Sequence, residues 1–264
     1  MWPVRHQNGL TRAAHMASLL AVIAIPLVGW FFQNWSGATT LTVYWFETVA
    51  ASVFITARIL FHRRWAPRRG HFTYAAPSQQ RRGTGSSTFL SGFVVTMVVF
   101  CAAHALFLGF ILFMLNRNGQ SELAVVDWRS VGFGCLSVFG FLALDFLVDL
   151  VSLRRWSFFQ IEQTANLGLS RVMVVHLTLI FGLFAAAFTG APDALFGVFV
   201  VLKTLASLSS ALPQWDPEVA PGWMSRVMNR LPNAHPGKRF EDKWADDRAD
   251  ENARRTRNEQ PWPA

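Results

Sequence analysis

The chain is poor in cysteine and poor in charge. Its two cysteines, Cys101 and Cys135, both lie inside apolar runs and cannot build a disulfide framework or a CxxC metal site. They read as small buried hydrophobes. Charged residues make up 15% of the chain, against roughly 25% in a soluble domain. No HExxH, GxSxG or phosphate-binding loop occurs, and there is no GxGD-like pair of intramembrane aspartates, so the reading leans away from an enzyme. No zinc-finger spacing, RNP-like motif or basic helical repeat accompanies the pI of about 10.7, which removes nucleic acid as the expected partner. Internal repeats of solenoid length and inverted transporter repeats are also missing.

What is present is apolar residue, 52% of the chain, gathered into long uncharged runs separated by short arginine-rich stretches. The reading is an all-α polytopic membrane protein. A spanning helix needs about 20 mainly apolar residues, and six stretches reach that length: 13–32, 39–61, 88–115, 131–153, 171–189 and 192–212. Together they predict a six-helix transmembrane bundle over residues 1–212, followed by a cytoplasmic tail over 213–264. Pro26 is an expected kink in the first span, and Pro192 suits the first turn of the sixth. The first run also resembles a secretory signal, with Arg5 and Arg12 ahead of it. Its length, its Trp30–Trp35 end and its lack of a small-residue cleavage site favour a retained anchor.

Lysine and arginine set the expected orientation. Two flank the first span at its start. Six lie in the loop from His62 to Ser87 (Arg63, Arg64, Arg68, Arg69, Arg81 and Arg82), three join the fourth and fifth spans (Arg154, Arg155 and Arg171), and two open the tail. Opposite these thirteen stand only Arg117 and Arg129. The positive-inside bias places both termini in the cytoplasm. The arginine-rich loop, broken by Pro67, Gly70, Pro77, Gly83 and Gly85, reads as flexible and facing anionic lipid headgroups. Around 222–231, Trp223, Met224, Val227, Met228 and Leu231 share one helical face, with Arg226, Asn229 and Arg230 on the other. That pattern fits an interfacial helix or one packed on the membrane domain. Beyond Pro232 the mixed charges read as a partly helical or disordered extension.

The residues that bear on function are those that hydrocarbon should exclude, since a charge at a helix centre costs about 2.5–3.5 kcal/mol on insertion scales. These are Glu47, Arg58, His104, Asp145, Asp149, His176 and Lys203. Counting about 1.5 Å per residue from each boundary puts Glu47 roughly 12 Å and Lys203 roughly 15 Å deep, and Asp145 and His176 about 9 and 7.5 Å from the cytoplasmic side. Arg58 and Asp149 both fall at that side. Depth therefore proposes three pairs: Glu47–Lys203, Asp145–His176 and Arg58–Asp149. His104, about 24 Å from the cytoplasmic boundary, is too far from His176 on this count to share a haem iron. It reads as a buried, hydrogen-bonded histidine, and no cofactor is expected. Asp145 and Asp149, four apart on one helix face, offer a divalent cation too few ligands, so no metal is expected either.

Three stretches resemble a bacterial membrane family known as domain of unknown function 6498: Tyr44-Trp45-Phe46-Glu47 in the second span, Arg171 to Thr178 around His176 in the fifth, and Val201-Leu202-Lys203-Thr204 in the sixth. The resemblance implies a bacterial plasma membrane location and directs attention to Glu47, His176 and Lys203. It implies no activity. The functional reading is a non-catalytic membrane subunit or scaffold held by buried polar pairs. A small transporter or ion- or proton-conducting protein using Glu47, Lys203, Asp145 and His176 is the alternative, and an intramembrane enzyme is the third. A water-filled pocket joining Glu47 to one membrane face favours the transporter, and a dry, fully packed pair favours the scaffold.

Overall fold

A computed structural model of the chain describes residues 9–77, 88–117, 124–189, 200–205, 217–231 and 237–263, together with Gly119 and Leu208. The described residues are helical, with no strand beyond an isolated antiparallel bridge between Arg68 and Pro261. They divide into two compact units.

The first unit comprises Met1–Ala66, Leu90–Trp156 and Gln160–Leu212. Its long helices are α1 (Gly9–Phe32), α2 (Gly37–Trp65), α4 (Phe89–Arg117), α5 (Trp128–Leu153) and α6 (Phe158–Thr189); a short α3 (Arg69–Phe72) belongs to the second unit. A further helical stretch covers 200–205. Among the described residues four helices are long and apolar enough to cross a membrane: Ala13–Phe32, Gly37–Trp65, Phe89–Arg117 and Trp128–Leu153. Their outward faces are apolar, as shown by Leu106 at 76%, Leu136 at 70% and Val151 at 81% exposure. In water such a surface would aggregate, whereas in lipid it is the proper solvent contact. Most of the expected sixth span, 192–212, lies outside the described residues.

The turn between α1 and α2 is tight. Asn34 adopts a positive φ of 54°, and Trp35 N–H donates to Gly29 O at 3.0 Å. The Trp35 indole then lies so close to Gly29 that any Cβ there would sit 2.3 Å from the ring. Ser36 caps α2 by accepting from Thr39 N–H at 3.1 Å, the usual way to satisfy an orphan helix-start donor. Thr39 Oγ1 accepts in turn from Asp127 N–H at 2.9 Å, and Asp127 caps α5 through Arg129 N–H at 3.0 Å. One hydroxyl chain thus ties the starts of α2 and α5. Beneath it Val22, Trp35, Val43 and Val138 form one core cluster, and Leu41, Tyr44, Ile111, Leu115 and Val200 another.

Hydroxyls along α2 are satisfied within the helix. Thr48 donates to Tyr44 O, Ser52 to Thr48 O and Thr56 to Ser52 O, at 2.7 to 3.1 Å. Each bonds the carbonyl four residues back, which lets a polar side chain sit in an apolar setting without a partner on another helix. Trp45 Nε1–H donates to Cys101 O at 3.1 Å, joining α2 to α4.

The fifth long helix departs from expectation at its start. It begins at Phe158 rather than Arg171, because Gln160, Glu162, Gln163 and Thr164 interrupt the hydropathy without interrupting the helix. Hydropathy marks the apolar part of a helix and is blind to polar turns that continue it.

The second unit comprises Pro67–Phe89, Ser157–Phe159 and Pro213–Ala264. It holds α3, α7 (Gly222–Met228) and α8 (Phe240–Glu259). The tail beyond Pro232, expected as a partly helical or disordered extension, contains a regular 20-residue helix. Polar contacts with the arginine-rich loop fix it, more than an apolar stripe does. Arg254, 2% exposed, donates to Ala75 O at 2.9 Å. Asn258 accepts from Ala75 N–H at 3.0 Å and donates to Ala75 O at 3.1 Å. Glu259 accepts from Phe158 N–H at 2.7 Å. Burial pushes the Glu251 carboxyl up, but hydrogen bonds from Arg254 and Arg255 outweigh it and hold that group below the usual carboxylate range. The described part of the loop, 67–77, is therefore ordered rather than flexible, and a Phe72–Trp262 stack with centroids 4.7 Å apart closes the unit.

Candidate functional site

Two networks of charged side chains lie inside the first unit. One joins α1, α2 and α5. Arg58 Nε–H donates to Asp149 Oδ2 at 2.8 Å, and its Nη2 donates to Asp145 Oδ2 at 2.7 Å. His15 approaches the same two carboxylates from α1, with Nδ1 2.6 Å from Asp145 Oδ1 and Nε2 3.2 Å from Asp149 Oδ1. The four-residue spacing of the aspartates puts both on one face of α5, so a single guanidinium and a single imidazole each reach both. Arg58 and Asp149 are buried. A guanidinium fork matched to two acceptors is the geometry in which a buried arginine is best compensated.

The second network is the ion pair in which Lys203 Nζ donates to Glu47 Oε2. The same ammonium lies over the Tyr44 ring, 3.5 Å from its centroid. Tyr44 and Lys203 are buried, so this cation–π contact is made away from water, where it is strongest.

A cavity of about 300 Å³ lies between the networks. His15 and Asp145 line one part of it and Glu47 and Lys203 another. Along α2 its wall is Glu47, Thr48, Ala51, Ser52 and Ile55, a run at steps of three and four that occupies one helix face. Leu19, Val22, Met97, Leu142 and Val172 supply apolar wall, and Arg171 of α6 also faces the space. Gly168 lets α6 approach here: a Cβ on it would lie 2.4 Å from Ile55 Cδ1.

Asp145 and His176 do not pair. Asp145 is held by His15 and Arg58, whereas His176 directs Nδ1 to Val172 O at 2.8 Å and Nε2 to Phe100 O at 3.1 Å. The error comes from the helix start. His176 lies about 27 Å along α6 from its start at Phe158, whereas the figure of about 7.5 Å was counted from residue 171. The same correction moves it level with His104, about 22 Å along α4, and the two rings meet edge to face with centroids 5.2 Å apart. The depth argument against a shared iron therefore falls. Both His176 nitrogens face carbonyl oxygens rather than His104. His104 also differs from expectation: it is fully buried, and neither ring nitrogen has a hydrogen-bond partner among the described residues.

Two residues of the site were not singled out from sequence. His15 sits where the first span begins and reads as flank. Arg171 was counted with the loop arginines, a consequence of the misplaced start of α6. The signal for His15 was available in its position, three and four residues before Ser18 and Leu19 on the face that enters the bundle. With Asp145 and Asp149, His15 offers three donor atoms within 4.8 Å of one another. Arg58 already bonds both carboxylates, so a cation there would have to displace a guanidinium.

Residues 6–236 match a family of unknown function, DUF6498. The chain belongs to that family. The match covers all the residues of both networks and the cavity, so these features fall within the part of the DUF6498 chain that defines membership. No curated protein and no solved structure matches it.

Proposed function

We propose that this DUF6498 chain is a six-span protein of the bacterial plasma membrane, with both termini in the cytoplasm, whose bundle interior receives a small polar solute and handles it as a transporter or a proton-conducting protein does. The cavity carries the reading. Pairs that served only to lock helices would be packed dry, whereas here both networks border one space. Its volume, about 300 Å³, lies at the small end of ligand pockets, and a mostly apolar wall with a few convergent polar groups is the usual character of such sites. In membrane bundles, ionisable groups facing a cavity mark substrate or proton paths. A scaffold is the second reading, favoured by the way Arg58 joins two aspartates and so fixes α2 against α5.

The two readings separate on a cavity-filling variant. Ala51→Phe puts a ring into the space while leaving both networks intact. Purified protein in proteoliposomes, screened with a panel of small polar solutes and with a pH-sensitive dye, should show a flux that Ala51→Phe abolishes at unchanged folded yield. Absence of any flux or binding in the unmodified protein, with Ala51→Phe fully viable in cells, would favour the scaffold.

The orientation rests on the thirteen-to-two arginine and lysine count across the expected loops. Reporter fusions after Gln80 and at the C-terminus should read cytoplasmic, and fusions at Gly37 and Gly119 external; an external signal at Gln80 would overturn the span count. Anionic lipid is the proposed partner of α7, where Trp223 and Val227 are exposed beside Arg226, a pairing of apolar and basic groups suited to a headgroup boundary.

A further inference from the structure

Charge arithmetic around the cavity narrows the solute. Three carboxylates belong to the two networks and the cavity wall, Glu47, Asp145 and Asp149, and three cationic side chains stand with them, Arg58, Arg171 and Lys203. These cancel. His15 is the remaining titratable group of the set. It is faced by Asp145 and Asp149 from α5, with Arg58 of α2 on the same carboxylates and Arg171 of α6 on the same cavity.

Both ring nitrogens of His15 point at carboxylate oxygens, which only accept. A neutral imidazole satisfies one of these contacts and sets a lone pair against the other oxygen. The imidazolium satisfies both. With that proton in place the described charges sum to one positive. An uncompensated charge is costly in a low-dielectric interior, so the protonated site favours one negative charge from outside.

Resting on the reading of the cavity as a solute site, we propose that its ligand is a short-chain monocarboxylate, bound together with one proton on His15. A monovalent anion balances the surplus charge, and a second negative charge would overshoot it. The space holds the volume of about ten waters at roughly 30 Å³ each, far more than a halide fills. Its apolar wall, from Leu19, Val22, Leu142 and Val172, suits an alkyl group behind the carboxylate. Arg171 and Lys203 supply donors of the kind that recognise carboxylate oxygens. Bound this way, anion and proton enter as a neutral pair, the form in which a charged solute crosses an apolar layer at least cost.

The test uses the full-length protein in detergent, with propionate and its uncharged isostere propionamide as probes. Titration calorimetry in two buffers of different ionisation enthalpy reads binding and proton uptake together. Propionate should bind equally from pH 6 to pH 8, weaken at least tenfold across the strongly alkaline range in which His15, held between two carboxylates, loses its proton, and take up close to one proton there. His15→Lys, which fixes the charge, should keep propionate binding and flatten its pH dependence. His15→Gln should hold affinity at the weak, high-pH value throughout. Because the pH profile and proton uptake are measured on the unmodified protein, misfolding of either variant leaves the proposal open to refutation. Equal binding of propionamide overturns the anion while preserving a solute cavity. Propionate binding with no pH dependence and no proton uptake overturns the role of His15. Failure of both probes, with Ala51→Phe behaving like the unmodified protein towards every solute, removes the cavity reading itself.

Discussion

Glu47→Gln and Lys203→Met should each destabilise the protein by about 3–5 kcal/mol, because each leaves the opposite charge unpaired among apolar groups. The lysine variant should be the worse of the two. It also removes the ammonium from the Tyr44 ring, a contact worth roughly 1–2 kcal/mol when desolvated. Combining the two changes should recover part of the loss, since no lone charge remains. Thermal stability and folded yield in detergent for both single variants and the double complete the cycle. Losses that simply add would show that the two side chains are energetically independent, contrary to the contact between them.

Removing Arg58 should have an effect at least as large. Its guanidinium bonds Asp145 and Asp149 together, at 2.7 and 2.8 Å, and Arg58→Leu leaves two carboxylates one helical turn apart sharing one imidazole. The expected cost is again about 3–5 kcal/mol or more, read as lost folded yield. Arg58→Lys keeps the charge and loses the fork, so it should recover only part of the stability. Arg58→Leu combined with Asp149→Asn should do better than Arg58→Leu alone, because it removes one of the stranded charges. A lysine variant as stable as the parent would show that charge alone, without the two-pronged geometry, holds the network.

How far these features can be read from sequence depends on what positions them. Long apolar helices declare themselves by length, as in Gly37–Trp65 and Phe89–Arg117. Depth along a helix is arithmetic, and it brought Arg58 level with Asp149 because both spans were bounded within a few residues of where the helices run. The arithmetic failed for His176, whose helix extends through the polar turn Gln160–Thr164 back to Phe158. Lateral neighbours have no such arithmetic. His15 reaches Asp145 and Asp149 because α1 packs beside α5; its spacing marks the inward face of α1 but does not name α5 as the neighbour. The helix Phe240–Glu259 was hidden for a different reason: side chains reaching backbone groups at Ala75 hold it, and such contacts leave no periodic apolar trace. The cavity was beyond reach from sequence, since it is the space that six helical segments leave between them.

Glu47 and Arg58 lie eleven residues apart on α2, which is about 20° past perfect alignment after three turns. They present one edge of the helix to partners on different segments, Lys203 at one level and the α5 aspartates at another. Turning α2 by even one residue's angle, about 100°, would disengage both ends together. Nor can it slide, because the two attachments are separated along its length by about 16 Å of rigid helix. The second helix is thereby pinned at two points, as a stator is. Any alternation of access in this protein must be carried by the segments that swing against it, above all α1 with His15 and the stretch that carries Lys203.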